Sequence, residues 1–375
     1  MTFFLAAGAI IPGIVLLVYM FRKDRADKEP IKLLLSLLGL GAVIVFPILL
    51  VSEPVEMIIL AIFGTDASGV ENLSGISYYL YNLVEAFFGV ALIEEGFKWL
   101  VLYFVTRNNK NFNSLFDGII YAVFVSLGFA IFENLLYVFE YGFETAIIRA
   151  FTAVPGHMFD GVIMGYFYTL WHAETAADKI EKHFIAKGLL PSSSDKFRPA
   201  PYLALSFVVP VAAHGIYDFC CFVEDVWATL LFYAFLIGLY VFCFRTINNM
   251  SKKDMGDFNY SVLAFNSKYP ELQQALIAYV QEIRAAAMAA SVYTAPGTQS
   301  APYGTQQSNP YGAQQGNPYG AQQGNPYGTQ QSNPYGAQQS NPYGAQQSNP
   351  YGTQQSNPYG TQQSNPYDTQ QSNKL

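Results

Sequence analysis

Charge is the scarcest commodity in this chain: only 13% of 375 residues are Asp, Glu, Lys or Arg, against 51% that are hydrophobic. Soluble domains carry about 25% charge, so an ordinary hydrated surface is excluded for much of the molecule. No basic cluster is present, and a nucleic-acid partner is excluded with it. Cysteine is rare, and Cys220, Cys221 and Cys243 all fall in apolar runs, where they read as packing residues and not as a disulfide framework. The compact His-Glu-x-x-His pattern of many zinc proteases is missing. Met1 to Phe21 lacks a basic leader and a small-residue cleavage site, which predicts a retained first span and not a removed signal peptide. Beyond about residue 295 aliphatic side chains almost vanish, so no core can form there.

What remains is a series of long apolar runs. Seven predicted spans lie at roughly 2–21, 32–51, 83–105, 117–139, 146–171, 202–223 and 226–244. The expected fold is all-α, a polytopic membrane helix bundle of about seven transmembrane helices with a disordered repetitive C-terminal tail. Loops 22–32 and 172–201 carry five Lys/Arg each and 106–116 carries Arg107 and Lys110, whereas 52–82, 140–145 and 224–225 carry none. That alternation predicts a multi-pass protein of the plasma (inner) membrane with its N-terminus outside and its C-terminus cytoplasmic. The segment Val55 to Phe63 is too short to span and is expected in the outer interface. Three domains follow: a membrane domain over 1–250, a cytoplasmic linker with an amphipathic helix over 251–295, and a tail over 296–375. In the linker, Leu272, Leu276, Tyr279, Val280 and Ile283 share one helical face. The tail repeats an octapeptide, Asn-Pro-Tyr-Gly-(Ala/Thr)-Gln-Gln-(Ser/Gly), which predicts a solvated segment with no catalytic role.

Inside the apolar runs stand groups that lipid does not tolerate. Glu94, Glu95 and Lys98 interrupt the third span; Glu94 and Lys98, four apart, form an ion pair on one face, and Glu95 is left without a local cation. The fourth span carries Phe129 and Glu133; the fifth carries His157 and Asp160, then Gly161 and Gly165 at the spacing that lets helices approach closely. The sixth carries His214 and Asp218 on one face. His157 and His214 each follow a proline closely, where a kink opens room for water. His172 and His183 read as surface residues. Each group alone could be a helix-packing device. Together they are costly as mere structure, and a shared site in the membrane accounts for all of them.

In that order, Glu94-Glu95-x-x-Lys98, Phe129-x-x-x-Glu133, His157 and His214-x-x-x-Asp218 resemble the PrsW family of intramembrane proteases, relatives of the CAAX prenyl endopeptidases and the abortive-infection-like membrane proteins. The resemblance covers about residues 80–225. The prenyl endopeptidases usually show Arg and His where Lys98 and Glu133 stand, which turns the resemblance away from prenylated substrates. It implies a bacterial protease that cleaves membrane-bound proteins, with release of an anti-sigma factor as the family theme.

The expected chemistry is hydrolysis of a peptide bond in a membrane protein substrate within the lipid bilayer. Glu94 or Glu95 would activate a water, with His157 assisting; His214, oriented by Asp218, would stabilise the oxyanion. Lys98 would hold one glutamate ionised, and Glu133 would orient a histidine or the water. A metal variant stays open, with zinc held among Glu94, Glu95, Glu133, His157 and His214. Two rival classes use the same residues differently: an ion- or proton-coupled transporter, and a non-catalytic membrane scaffold that displays the tail.

Overall fold

The structure is a computed structural model that describes residues 2–24, 28–67 and 69–293. The octapeptide tail and Arg25 lie outside the described residues. Apolar sequence folds into helix because a backbone in hydrocarbon must satisfy its own hydrogen bonds. Twelve α-helices result among the described residues: α1 (Thr2–Lys23), α2 (Ile31–Val43), α3 (Val45–Phe63), α4 (Ile76–Val84), α5 (Leu92–Thr106), α6 (Asp117–Tyr141), α7 (Phe143–Phe151), α8 (Ala153–Ala186), α9 (Ala200–Phe222), α10 (Val226–Lys252), α11 (Asp257–Lys268) and α12 (Gln273–Tyr293). No strand occurs among the described residues; Ser114 and Gly256 form one isolated antiparallel bridge.

Among the described residues six helical segments are long and apolar enough to cross a bilayer: Phe4–Lys23, Ile31–Phe63, Ile76–Thr106, Asp117–Tyr141, Ala200–Phe222 and Val226–Lys252. Large apolar side chains stay exposed along them, Phe4, Leu50 and Ile62 each by 70% or more. A water-soluble monomer does not present such a belt. The stretch Val55 to Phe63, expected to lie separately in the interface, instead continues the second span as the end of α3. The expected span at 146–171 is divided. The backbone leaves helical geometry at Thr152 (φ −119°, ψ −76°), separating the amphipathic α7 from the 34-residue α8.

The centre of the bundle is α6. In its most apolar window 72% of residues are buried, against 17–33% in the other five spans. It packs on α1, α2 and α8, and every residue from Asp117 to Ala130 is buried. Gly161 and Gly165 on α8 make the closest approach possible: a Cβ on Gly165 would lie 2.4 Å from the Gly118 carbonyl oxygen, and one on Gly161 3.0 Å from Val123 Cα. Past the bundle, the far end of α8 joins α11 and α12 in a second small core of Phe184, Phe197, Phe265, Tyr269 and Leu276. The amphipathic face expected over 270–290 therefore begins by covering α8 and α11, with Pro270 in a 3₁₀ turn ahead of α12. The compact unit built this way runs from Met1 to Glu282.

Candidate active site

The site grows from the start of α5. A seven-residue π-helical stretch, Glu85–Ala91, precedes it. Such wide turns shift the side-chain register and recur at functional sites. Glu94, Glu95 and Lys98 all turn inward, with 8%, 0% and 0% of their surface exposed. Lys98 Nζ donates to Glu95 Oε1 at 2.7 Å and to Glu94 Oε2 at 3.2 Å. The expected assignment of Lys98 to Glu94 alone is thus corrected: residues three and four apart share a helical face, and one ammonium reaches both carboxylates. Its nitrogen also stands 3.2 Å from His157 Nδ1 and 4.0 Å from the centre of the Phe129 ring.

Helix α8 brings His157 in its second turn. Pro155 falls in the first turn, where its missing N–H costs no hydrogen bond, so of the two prolines that precede the site histidines Pro210 alone is interior to its helix. His157 Nε2 lies 3.0 Å from Glu133 Oε2 of α6. His214 of α9 places Nδ1 2.9 Å from Glu95 Oε1 and Nε2 3.2 Å from Asp218 Oδ2, a charge contact without hydrogen-bond alignment. Asp160 Oδ2 is 3.9 Å from His214 Nδ1. The two imidazole rings stand 5.3 Å apart at 75°. All nine residues singled out in the sequence therefore meet: Glu94, Glu95, His157 and His214 at the centre, with Lys98, Phe129, Glu133, Asp160 and Asp218 around them.

A narrow cavity of about 110 Å³ opens onto the cluster, lined by Glu94, Glu133, His157, Asp160, His214 and Asp218 among others. Glu95 is not on its wall. Its other lining includes a residue that sequence reasoning missed, Arg149 of α7. Arg149 Nη2 pairs with Glu133 Oε2, its Nε donates to Asn134 Oδ1 at 3.0 Å, and its guanidinium lies 3.9 Å from the Tyr137 ring centre. The signal was present: a lone arginine between apolar residues at the end of an expected span. His172 also departs from its expected place on the surface. Its ring stacks on Phe112 at 3.9 Å and its Nδ1 lies 2.5 Å from Asp257 Oδ2.

Glu94, Glu95, His157 and His214 each offer one donor atom within 4.8 Å of the others, a group able to hold a metal ion. Glu133 is outside that group. The sequence profile of the PrsW family of intramembrane metalloproteases matches residues 29–246. The chain belongs to the PrsW family. It is similar to the protease PrsW of Bacillus subtilis (strain 168), 35% identical over 217 residues, which cover 58% of this chain and 82% of that protein. The protease PrsW of Oceanobacillus iheyensis is 36% identical over 215 residues (57% and 81%), and that of Geobacillus kaustophilus 32% over 225 residues (60% and 83%). No solved structure matches the chain. With its membrane-spanning helices, membership of the PrsW family makes this chain a multi-pass membrane protein and an intramembrane endopeptidase. The site residues, carried by α5 to α9, lie wholly within the matched PrsW region.

Proposed function

We propose that this protease cleaves its substrate in the cavity beside Glu94, with Glu94 as the base and Glu95, His157 and His214 as the residues that hold a divalent ion. The observation that carries the assignment is the different setting of the two glutamates. Glu94 lines the cavity, while Glu95 lies behind it between Lys98 and His214.

The donor set fits a metal on two further grounds. Each histidine turns one ring nitrogen toward an outer carboxylate, Glu133 or Asp218, and its Nδ1 toward the Glu95–Lys98 centre. Outer carboxylates of this kind fix ring orientation in metal sites. Glu95 Oε2 is buried without a hydrogen-bond partner, as an atom awaiting a cation would be. Two imidazoles and a carboxylate suit zinc, which when bound would polarise the scissile carbonyl as a Lewis acid. The chain's own residues do the rest. Glu94 takes a proton from water as the oxygen attacks the carbonyl carbon, then returns it to the nitrogen as the C–N bond breaks. Arg149 and Glu133 hold His157, and Asp218 holds His214.

A metal-free reading is favoured by one observation: the Lys98 ammonium already stands among the donors of Glu94, Glu95 and His157. In that case Lys98 supplies the fixed positive charge and His214 stabilises the oxyanion. Purified protein in liposomes with a single-span protein substrate separates the two. Stripping with a membrane-permeant chelator should stop cleavage and zinc should restore it; undiminished cleavage by metal-stripped protein would establish the Lys98 reading instead.

The substrate we propose is a membrane-anchored protein, with an anti-sigma factor suggested by family resemblance. The loop charges support an N-out, C-in orientation in the bacterial plasma membrane, with α11 and α12 in the cytoplasm.

A further inference from the structure

Away from the catalytic cluster, one stripe of α5 runs between two cavities of opposite character. Gly96, Trp99, Leu100, Tyr103 and Arg107 follow one another at three- and four-residue steps and so share a face. The apolar cavity, about 500 Å³, is an open groove between α5 and α9 walled by Gly96, Trp99, Leu100, Leu203, Ala204 and Phe207. Every one of those side chains is apolar apart from the Trp99 indole nitrogen, which donates inward to Ser206 Oγ at 2.9 Å. The outer cavity, about 350 Å³, lies where α5 ends and α8 leaves the bundle; Arg107, Asn108, Trp171, Thr175 and Lys179 line it with Tyr103. Trp99 and Tyr103 stack at 4.9 Å and 7°, forming a continuous wall from one cavity to the other.

The outer cavity has an unbalanced charge. Among the described residues the acids flanking Lys179 on α8 are already engaged elsewhere: Asp178 with Lys182 at 2.6 Å, Glu174 with Lys268 at 3.7 Å, and Glu181 with Tyr269 and the Lys196 N–H. Asp257 pairs at 2.5 Å with His172, which also lines the cavity. Neither Arg107 nor Lys179 has a carboxylate within 4.0 Å among the described residues. Arg107 is held in place by rings instead, 4.7 Å from the centre of Tyr103 and 5.1 Å from that of Phe104. A pre-oriented guanidinium beside a free ammonium, set in an aromatic belt at the end of a span, is a receptor for a phosphate group.

We propose that this face of α5 is a binding site for an anionic phospholipid, the phosphate lying between Arg107 and Lys179 and one acyl chain running past Trp99 into the α5–α9 groove. From Gly96 to Arg107 the helix rises about 16 Å, the reach of an acyl chain of ordinary length. Opposite charge at one end and an apolar groove at the other select an amphiphile over a free anion. The occupied groove ends at Gly96, next to Glu95, so the lipid braces the helix that carries the catalytic glutamates.

Tryptophan fluorescence reads both cavities directly, since Trp99 and Trp171 line them and Trp227 is the third and last tryptophan. The full chain carrying W227F is placed in phosphatidylcholine vesicles doped with phosphatidylglycerol brominated on its acyl chain, or with brominated phosphatidylcholine. Phosphatidylglycerol should quench at a several-fold lower mole fraction, and R107Q/K179Q should abolish that difference while cleavage persists and shows the fold intact. A204F, which fills the groove and leaves both cations, should protect Trp99 and spare the quenching of Trp171. Equal quenching by the two lipids, or a preference unchanged in R107Q/K179Q, would overturn the site. Displacement of phosphatidylglycerol by inorganic phosphate would make it a free-anion site, and displacement by a neutral transmembrane peptide would make the groove a polypeptide site; either overturns the lipid assignment.

Discussion

At the scale of single residues, the glutamates and Lys98 divide one electrostatic problem between them. Three charges with almost no exposed surface meet within 3.2 Å, and a buried ion pair is tolerated only when each member keeps its partners. Replacing Lys98 with Met removes the shared cation and leaves two carboxylates facing each other in low dielectric. K98M should lose about 3–5 kcal/mol of stability, the penalty for breaking a buried pair, seen as a lowered unfolding midpoint in detergent. Substitution of Glu94 tests a different property. E94Q keeps the size and most hydrogen-bonding capacity of the side chain but cannot take a proton. Single-turnover cleavage should fall by about 10²–10⁴-fold, the usual worth of a general base, with little change in unfolding midpoint. An E94Q protein that still cleaves at the parental rate would move the base elsewhere.

At the scale of elements, the bundle depends on how closely α8 can press on α6, because His157 and Asp160 ride on α8. A leucine at Gly165 would drive its Cβ into the Gly118 carbonyl, where backbone and not a yielding side chain is in the way. G165L should cost about 3 kcal/mol or more by overpacking and displace His157, lowering both yield and cleavage. Gly238 on α10 is the control: a Cβ there meets nothing within 4 Å, so G238A should match the parent in both assays. The same elements show what could be read from the chain beforehand. Glu94, Glu95 and Lys98, and equally His214 and Asp218, are local helical spacings, so a helix assignment alone puts them on common faces. Gly161 and Gly165 announced a close helix contact, though not its partner. Arg149 stood out as a lone arginine, but its reach to Glu133 was hidden, because it depends on the chain breaking helix at Thr152, three residues before Pro155. The π-helical turns of Glu85–Ala91 were equally hidden, since the apolar run through them reads as uninterrupted helix.

At the scale of the whole molecule, the segment after the last span closes back on the loop that joins α5 to α6. Leu115 N donates to Met255 O at 3.1 Å, Asp257 N to Asn113 O at 2.8 Å, and Asp254 Oδ1 accepts from Ser114 Oγ at 2.7 Å and Phe116 N at 3.0 Å. Burial pushes the Asp254 carboxyl above its ordinary pKa, against the opposing pull of the Ser114 and Phe116 hydrogen bonds. His172, stacked on Phe112 of the same loop, ties α8 to the first turn of α11 through Asp257. One clasp thus fixes the far ends of α5, α6 and α8, three of the four helices that deliver the site, although the clasp begins beyond residue 246, where the family match ends. Two truncations separate this clasp from the repeats that follow it. Deleting residues 294–375 removes only the octapeptide region and the few residues before it, and should leave cleavage and unfolding midpoint at parental values. Deleting residues 254–375 removes the clasp as well, exposing the Phe184 and Phe197 surface that Phe265 and Tyr269 cover. That form should unfold at lower temperature and cleave poorly, and phosphatidylglycerol should not rescue it, because the missing contacts are to the loop and not to the lipid-facing stripe of α5. Equal behaviour of the two truncated forms would mean that the α5–α6 loop holds its shape unaided.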